Sequence, residues 1–325
     1  MTVKRKKTYS NIHIGSLNCH GLLDKLDCPN VIDLISKHDI FCVCETWIRE
    51  EDQVYIPGFE YFPLNRKKCK GPIKGGIGLF IRDNLRDFIK IRYDISSEII
   101  LWCKLDKAYF GYKEDIYIGN VYIPPVGSSR EKDLNIDHFK KLYETTATLS
   151  SKNVILIGDF NARTHILKDT LNKEKYEDDV LGDFYSEIYS IRNNQDKHLN
   201  NYGKQLIEYC ISTRSYIANG RTLGDIQGKL TCHQSNGSST VDYAVITENL
   251  KNHVKSFEVL NPDTGSDHSP ISLQLNCPHK FITQTNKGSS GITMLPPPFK
   301  WNEKTKNIFE KKIVSDVSAQ MIEDL

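Results

Sequence analysis

Two short polar signatures sit where strands should end or begin. Gly158-Asp159-Phe160-Asn161 follows the apolar run Val154-Ile155-Leu156-Ile157, and Ser266-Asp267-His268 precedes Pro270-Ile271-Ser272-Leu273. Other polar residues hold matching places: Asn18 follows the first apolar run, Glu45 the second, Tyr122 closes the run from Ile116, and Asp242 opens another. Carboxylates bind a hard cation, amides and hydroxyls hydrogen-bond an anionic phosphate, and an acid or imidazole activates water. Metal-assisted hydrolysis of a phosphate ester needs this set. Either signature alone reads equally well as a turn, with Asp and Asn bonding their own backbone. Polar groups converging on one rim of a buried sheet argue for a site more strongly than any single motif.

The elements that must carry these residues are mostly strands. Apolar, β-branched runs cover Ile12 to Leu17, Ile40 to Cys44, Ile77 to Ile81, Ile99 to Leu105, Ile116 to Tyr122, Val154 to Ile157, Val241 to Thr247, Val254 to Leu260 and Ile271 to Leu275, as strands buried on both faces do. Helical spacing appears in Val31, Ile32, Leu34 and Ile35 after Pro29-Asn30, in Ile136, Phe139, Leu142 and Tyr143, and in Tyr202, Leu206, Ile207 and Cys210. Many strands with few helices predict an α/β fold of two packed sheets with helices on their outer faces, not one doubly wound sheet.

The chain has 325 residues, 39% of them hydrophobic and 10% aromatic, enough for a large core. A formal net charge of +2 neither requires nor excludes a polyanionic partner. The nine cysteines include no Cys-x-x-Cys pair. That usage predicts a reducing, intracellular setting, with no zinc knuckle and no redox motif. No apolar stretch approaches a membrane span, and no signal-type segment follows the N-terminal methionine.

Residues 1–10 form a basic tail with Lys4-Arg5-Lys6-Lys7, which suits a nuclear address or simply a solvated arm. One domain is expected over 11–277, then a Pro, Ser and Gly-rich linker over 278–298 that ends in Pro296-Pro297-Pro298. Helical spacing over 299–325 is too short to bury its own face and predicts a lead-in to a further region. The polar stretch Lys168 to Asn201 reads as an exposed excursion. Arg66-Lys67-Lys68-Cys69-Lys70, with Lys74, precedes the Gly75-Gly76 strand; Lys67, Lys68 and Lys70 suit a DNA backbone, as does Arg163 just beyond the Asp159 motif.

Over Asn11 to Cys277 the chain resembles the endonuclease/exonuclease/phosphatase superfamily, and within it the endonuclease domain of LINE-type (non-LTR) retrotransposons. The residues that carry the resemblance are Ser16-Leu17-Asn18-Cys19-His20-Gly21, Cys44-Glu45-Thr46-Trp47, Gly75-Gly76-Ile77-Gly78, Val121-Tyr122-Ile123-Pro124-Pro125, Gly158-Asp159-Phe160-Asn161, Asn219-Gly220-Arg221, Leu230-Thr231, Ser239-Thr240-Val241-Asp242-Tyr243 and Ser266-Asp267-His268-Ser269-Pro270. The resemblance implies a deoxyribonuclease-I-like four-layer sandwich of two mainly antiparallel sheets flanked by helices. It implies Mg²⁺, with Mn²⁺ as a possible substitute, held by Glu45 with Asn18 and Asp267. Asp159 would orient or deprotonate the attacking water, Asn161 and Tyr122 would donate to phosphate oxygens, and His268 would be oriented by Asp242. It leaves open whether Asp159 or His268 is the base, and whether one or two ions bind. Thr231 and Ser239 match positions that line the DNA cleft. His20 departs from the pattern, which usually has Asn or Asp there.

The implied activity is a single-strand DNA nick that leaves a 3′-hydroxyl for a downstream reverse transcriptase in the same polypeptide. An abasic-site repair endonuclease or an inositol or lipid phosphatase shares the central residues. A remnant that binds nucleic acid without cutting it is the reading from another class.

Overall fold

The computed structural model describes residues 10–65, 74–170, 192–261 and 263–278. The chain divides into two units, Met1–Lys280 and Phe281–Leu325, and all the described residues lie in the first. The basic tail, Lys67, Lys68 and Lys70, most of the linker and the 299–325 segment fall outside the described residues.

The strands, in chain order, are β1 (Asn11–Asn18), β2 (Ile40–Cys44), β3 (Phe59–Leu64), β4 (Ile77–Arg82), β5 (Ile89–Ile91), β6 (Ile100–Leu105), β7 (Ile116–Tyr122), β8 (Val154–Asp159), β9 (Ser215–Ile217), β10 (Cys232–Gln234), β11 (Gly237–Ser239), β12 (Asp242–Thr247), β13 (Val254–Val259) and β14 (Ile271–Asn276). They form two six-stranded sheets, ordered β13-β14-β1-β2-β4-β3 and β5-β6-β7-β8-β12-β9, and a small β10-β11 ribbon. Each sheet is built around one parallel pair, β1 with β2 and β7 with β8, flanked by antiparallel neighbours. The two halves therefore share a topology that no sequence repeat announces.

Alternate side chains along each central strand enter different layers, which follows from the period of two. In β2, Ile40, Cys42 and Cys44 join Ile155 and Ile157 of β8 in the core between the sheets. Phe41 and Val43 face the other way and pack with Val31, Leu34 and Ile35 of the helix Pro29–Ser36. In β8, Val154 and Leu156 pack with Phe139 and Leu142 of the helix His138–Ala147 and with Leu206 and Cys210 of the helix Asn201–Thr213. With both faces covered, the strands have no polar side to show, so they read as continuous apolar runs. The result is the four-layer α/β sandwich expected.

The nine predicted strands and three predicted helices are all present. Five further strands are β3, β5, β9, β10 and β11. Four of these have three residues each, and β3 carries Pro63 at the sheet edge, where a missing N–H costs no ladder bond. The Lys168 to Asn201 stretch is not wholly an exposed excursion. Asp169 and Asp196 at its two ends are buried, each paired with an arginine, Arg221 and Arg163.

Candidate active site

The parallel pairs fix where the polar residues go. Asn18 lies opposite Cys44 across β1 and β2, so Asn18 and the following Glu45 leave one sheet at its carboxyl rim. Tyr122 lies opposite Asp159 across β7 and β8, at the matching rim of the other sheet. Asp242 lies opposite Asp159 across β8 and β12, which sets two acids side by side. Asn18 joins the rims, its Nδ2 donating to Asp159 Oδ2 at 2.9 Å and to Glu45 Oε1 at 3.2 Å. The Tyr122 hydroxyl donates to the same Glu45 oxygen at 2.9 Å.

Backbone conformation supports this convergence. Glu45 and Asn161 both adopt left-handed φ, 50° and 48°, which costs a non-glycine residue energy and is common where a site holds a side chain in place. Gly158 precedes Asp159 with φ 141°, and a Cβ there would lie 2.1 Å from the Val121 carbonyl oxygen. Glycine lets β7 and β8 approach closely enough to put Tyr122 beside Asp159.

Asp159 is 1% exposed and accepts from Asn18, from the Asn161 backbone N–H at 2.8 Å and from Asn161 Nδ2 at 3.1 Å. Burial and then the charge on Asp242 raise its pKa from 3.8 to about 7, against the lowering pull of His268 and these donors. Asp242, buried, accepts from or shares a proton with His268 Nδ1 at 2.9 Å. Burial opposes charging His268, but the Asp242 carboxylate outweighs it and holds the imidazole's pKa far above its usual value. Oxygens of Asp159 and Asp242 and a ring nitrogen of His268 lie within 4.8 Å of one another. Burial, then Glu45 and Asp159, raise the Tyr122 pKa, so its phenol stays a donor.

Glu45 fits a cation. Its half-buried carboxylate has no basic partner among the described residues, and Oε2 accepts no hydrogen bond from them. A carboxylate oxygen left so beside a second acid is what a hard divalent ion neutralises. Asn18 serves as a donor to both acids, with its Oδ1 facing the His20 N–H at 3.3 Å. Asp267 accepts from Gln234 Nε2 at 3.0 Å, and His20 Nδ1 is 3.9 Å from its other oxygen. His20 itself is exposed and sits edge-on to Trp47.

Several roles differ from the sequence expectation. Asn161 spends its amide hydrogens on Ile123 O at 2.8 Å and on Asp159, so it steadies Asp159 rather than reaching outward. Thr231 is fully buried, so its side chain is not on a cleft wall; its hydroxyl accepts from the backbone N–H groups of Val241 and Asp242 at 3.1 and 3.0 Å. Arg163 forms a two-pronged pair with the buried Asp196 at 2.7 and 2.6 Å, which occupies its fork. Ser239 ends the β10-β11 ribbon opposite Cys232 and is partly exposed. The sequence reading missed two contributors. Ser266 Oγ donates to Asn18 O at 2.7 Å and accepts from the His268 N–H at 3.1 Å, tying two motifs together. Asn120, buried inside an apolar run, donates to Val43 O and Gly78 O and so links the sheets just behind the site. A polar residue in the middle of a buried strand was the available signal.

A two-sheet sandwich with paired acids, bridging amides and an aspartate-held histidine on its shared rim defines an enzyme of the phosphodiesterase and nuclease kind. A family model described as endonuclease-reverse transcriptase matches residues 116–272, from the strand of Tyr122 to the strand after His268. That match spans just under half of the chain. Solved structures of similar fold include an AP endonuclease, LMAP, from Leishmania major, at TM-score 0.61 and 14% identity over 83% of this chain and 89% of that one. The endonuclease domain of TRAS1, a telomere-specific non-LTR retrotransposon, aligns at TM-score 0.54 and 14% identity over 82% and 99%. The 3′ phosphatase NExo from Neisseria, bound to product DNA hairpin, aligns at 0.55 and 13% over 82% and 99%. No curated protein sequence matches. Among the described residues no helix is long and apolar enough to cross a membrane.

Proposed function

We propose that this chain is a Mg²⁺-dependent endonuclease that nicks one strand of DNA and leaves a 3′-hydroxyl, as the target-nicking domain of a retrotransposon protein. The observation that carries the reading is the Asn18 bridge, which sets Glu45 of one sheet beside Asp159 of the other, next to the Asp242–His268 pair. The family description supports a reverse transcriptase region in the same polypeptide, and the basic tail supports work in the nucleus.

Glu45 would hold the ion, Mg²⁺ or Mn²⁺ in its place, which supplies charge to the phosphate and leaving oxygen. The chain's own groups do the rest. Asp159, poised near neutrality, takes the proton of the attacking water. His268, kept protonated by Asp242, turns a donor toward charge developing at phosphorus. Tyr122 and Asn161 hold the two carboxylates in place.

Supercoiled plasmid incubated with the full chain and Mg²⁺ is expected to become nicked circles whose ends a DNA polymerase extends. Glu45→Ala and His268→Ala should each slow nicking by about 10²-fold or more. Unchanged rates in both variants would remove the reading. The fold shared with an AP endonuclease favours a second reading, abasic-site cleavage. Equal-salt comparison of abasic and intact duplexes separates the two.

A further inference from the structure

Cys232 and the Asp267-His268 pair come from distant segments, yet the backbone clamps them together. Cys232 and His268 form an antiparallel bridge, Ser269 N donates to Thr231 O at 2.7 Å, and His233 N donates to Asp267 O at 2.7 Å. A thiol sulfur, a carboxylate oxygen and an imidazole nitrogen of these three residues lie within 4.8 Å of one another. We propose that Cys232, Asp267 and His268 form a second metal site, selective for a soft divalent ion such as Zn²⁺, whose occupation takes His268 out of the hydrolytic site. Glu45 offers carboxylate oxygen only, and the thiols beside it, Cys19 and Cys44, are spent on backbone carbonyls and on Asn120, so the two sites differ in the ion they prefer.

The donor set suits zinc. Zinc takes Cys, His and carboxylate ligands in tetrahedral sites with bonds of about 2.0–2.3 Å, and leaves a fourth position for water. Side-chain rotation brings donors already this close to that spacing. Mg²⁺ prefers oxygen and gains little from a thiolate. The supporting contacts are also in place. Asp242 holds His268 Nδ1 at 2.9 Å, which leaves Nε2 as the ligand atom, the carboxylate–histidine–metal arrangement that orients a ligand imidazole. Gln234 Nε2 anchors Asp267 Oδ2 at 3.0 Å. Cys232 is 5% exposed while the Asp267 side chain is 28% exposed, so the ion enters from the Asp267 side. Binding releases the Cys232 thiol proton and the proton on His268 Nε2 to solvent, and forms one bond to sulfur, one to nitrogen and one to oxygen. The metal then occupies the lone pair through which His268 carries its proton.

The inhibitory consequence rests on the proposed nuclease activity; the binding does not. The test therefore has two readouts on the full chain. Co²⁺, a spectroscopic stand-in for Zn²⁺, should bind with a thiolate-to-metal charge-transfer absorption that Zn²⁺ displaces. Cys232→Ser should lose that absorption while its unfolding profile matches the parent. Asp267→Asn should keep the absorption but weaken Co²⁺ binding by about tenfold or more. With Mg²⁺ present, low Zn²⁺ should slow nicking at least tenfold in the parent and under twofold in Cys232→Ser. No charge-transfer absorption in the parent, or the same absorption in Cys232→Ser, overturns the site. Absorption that behaves as expected in a protein that never nicks leaves the metal site standing and removes the nuclease reading. Absorption with undiminished nicking under Zn²⁺ overturns the capture of His268.

Discussion

At the scale of single residues, the site is a problem in charge placement. Asp159 and Asp242 are cross-strand neighbours, both buried, and like charges directly opposite repel. His268 resolves half of the conflict by pairing with Asp242, and a proton on Asp159 resolves the other half below pH of about 7. The sign for activity follows. A base with its pKa raised by burial and by a neighbouring carboxylate is protonated, and idle, on the acid side. Turnover should therefore rise about tenfold per pH unit on the acid side and level off above that pKa. Asn18 donates to the ionised form and lowers this pKa. Asn18→Ala is expected to move the acid limb of kcat/KM to higher pH as well as lower the plateau. A pH profile of the variant that drops in height with no shift would show that Asn18 does not tune Asp159.

At the scale of elements, two placements decide whether the residues meet. Thr231 precedes β10 and accepts from the N–H groups of Val241 and Asp242 at the start of β12. Thr231→Val keeps the shape and strands two buried donors, at a cost of about 1–3 kcal/mol each. Denaturant unfolding should show this loss, and Thr231→Ser should restore most of it; equal stability of the valine variant would refute the assignment. Gly158→Ala would drive a methyl group into the Val121 carbonyl and strain a positive φ. It is expected to destabilise the protein by more than Thr231→Val does, because the clash is with backbone and β7 and β8 must separate. The long central strands were legible in the sequence because they are buried on both sides and nothing interrupts their apolar character. The edges were not: β5 and β9 are too short to show a period, and β10 with β11 is mostly polar ribbon.

At the scale of the whole molecule, each sheet supplies half of the site, Asn18 and Glu45 from one and Tyr122, Asp159 and Asp242 from the other. The participants were readable as motifs at strand ends, since polar residues beside buried runs stand out. Their partners were not, because Arg163 finds Asp196 and Thr231 finds Asp242 through tertiary pairing that spacing does not encode. Asn120 shows the same limit: an amide in an apolar run signals a buried polar contact without saying that it ties two sheets. Since three carboxylates meet at the seam between the sheets and one imidazole offsets them, the seam holds excess negative charge. A divalent ion at Glu45 should then stabilise the fold as a whole, by RT ln(1 + [L]/Kd), or about 2.7 kcal/mol at a hundred times Kd. For a domain of this size that is a rise in Tm of roughly 5–10 °C. Glu45→Gln should remove the rise, and without metal it should melt no lower than the parent, because it removes one of the charges in conflict. Thermal unfolding with Mg²⁺ titrated at constant ionic strength checks both. An equal rise in Glu45→Gln would place the ion elsewhere, and a lower metal-free Tm in that variant would show that Glu45 earns its position through Tyr122 and Asn18 and not through a cation.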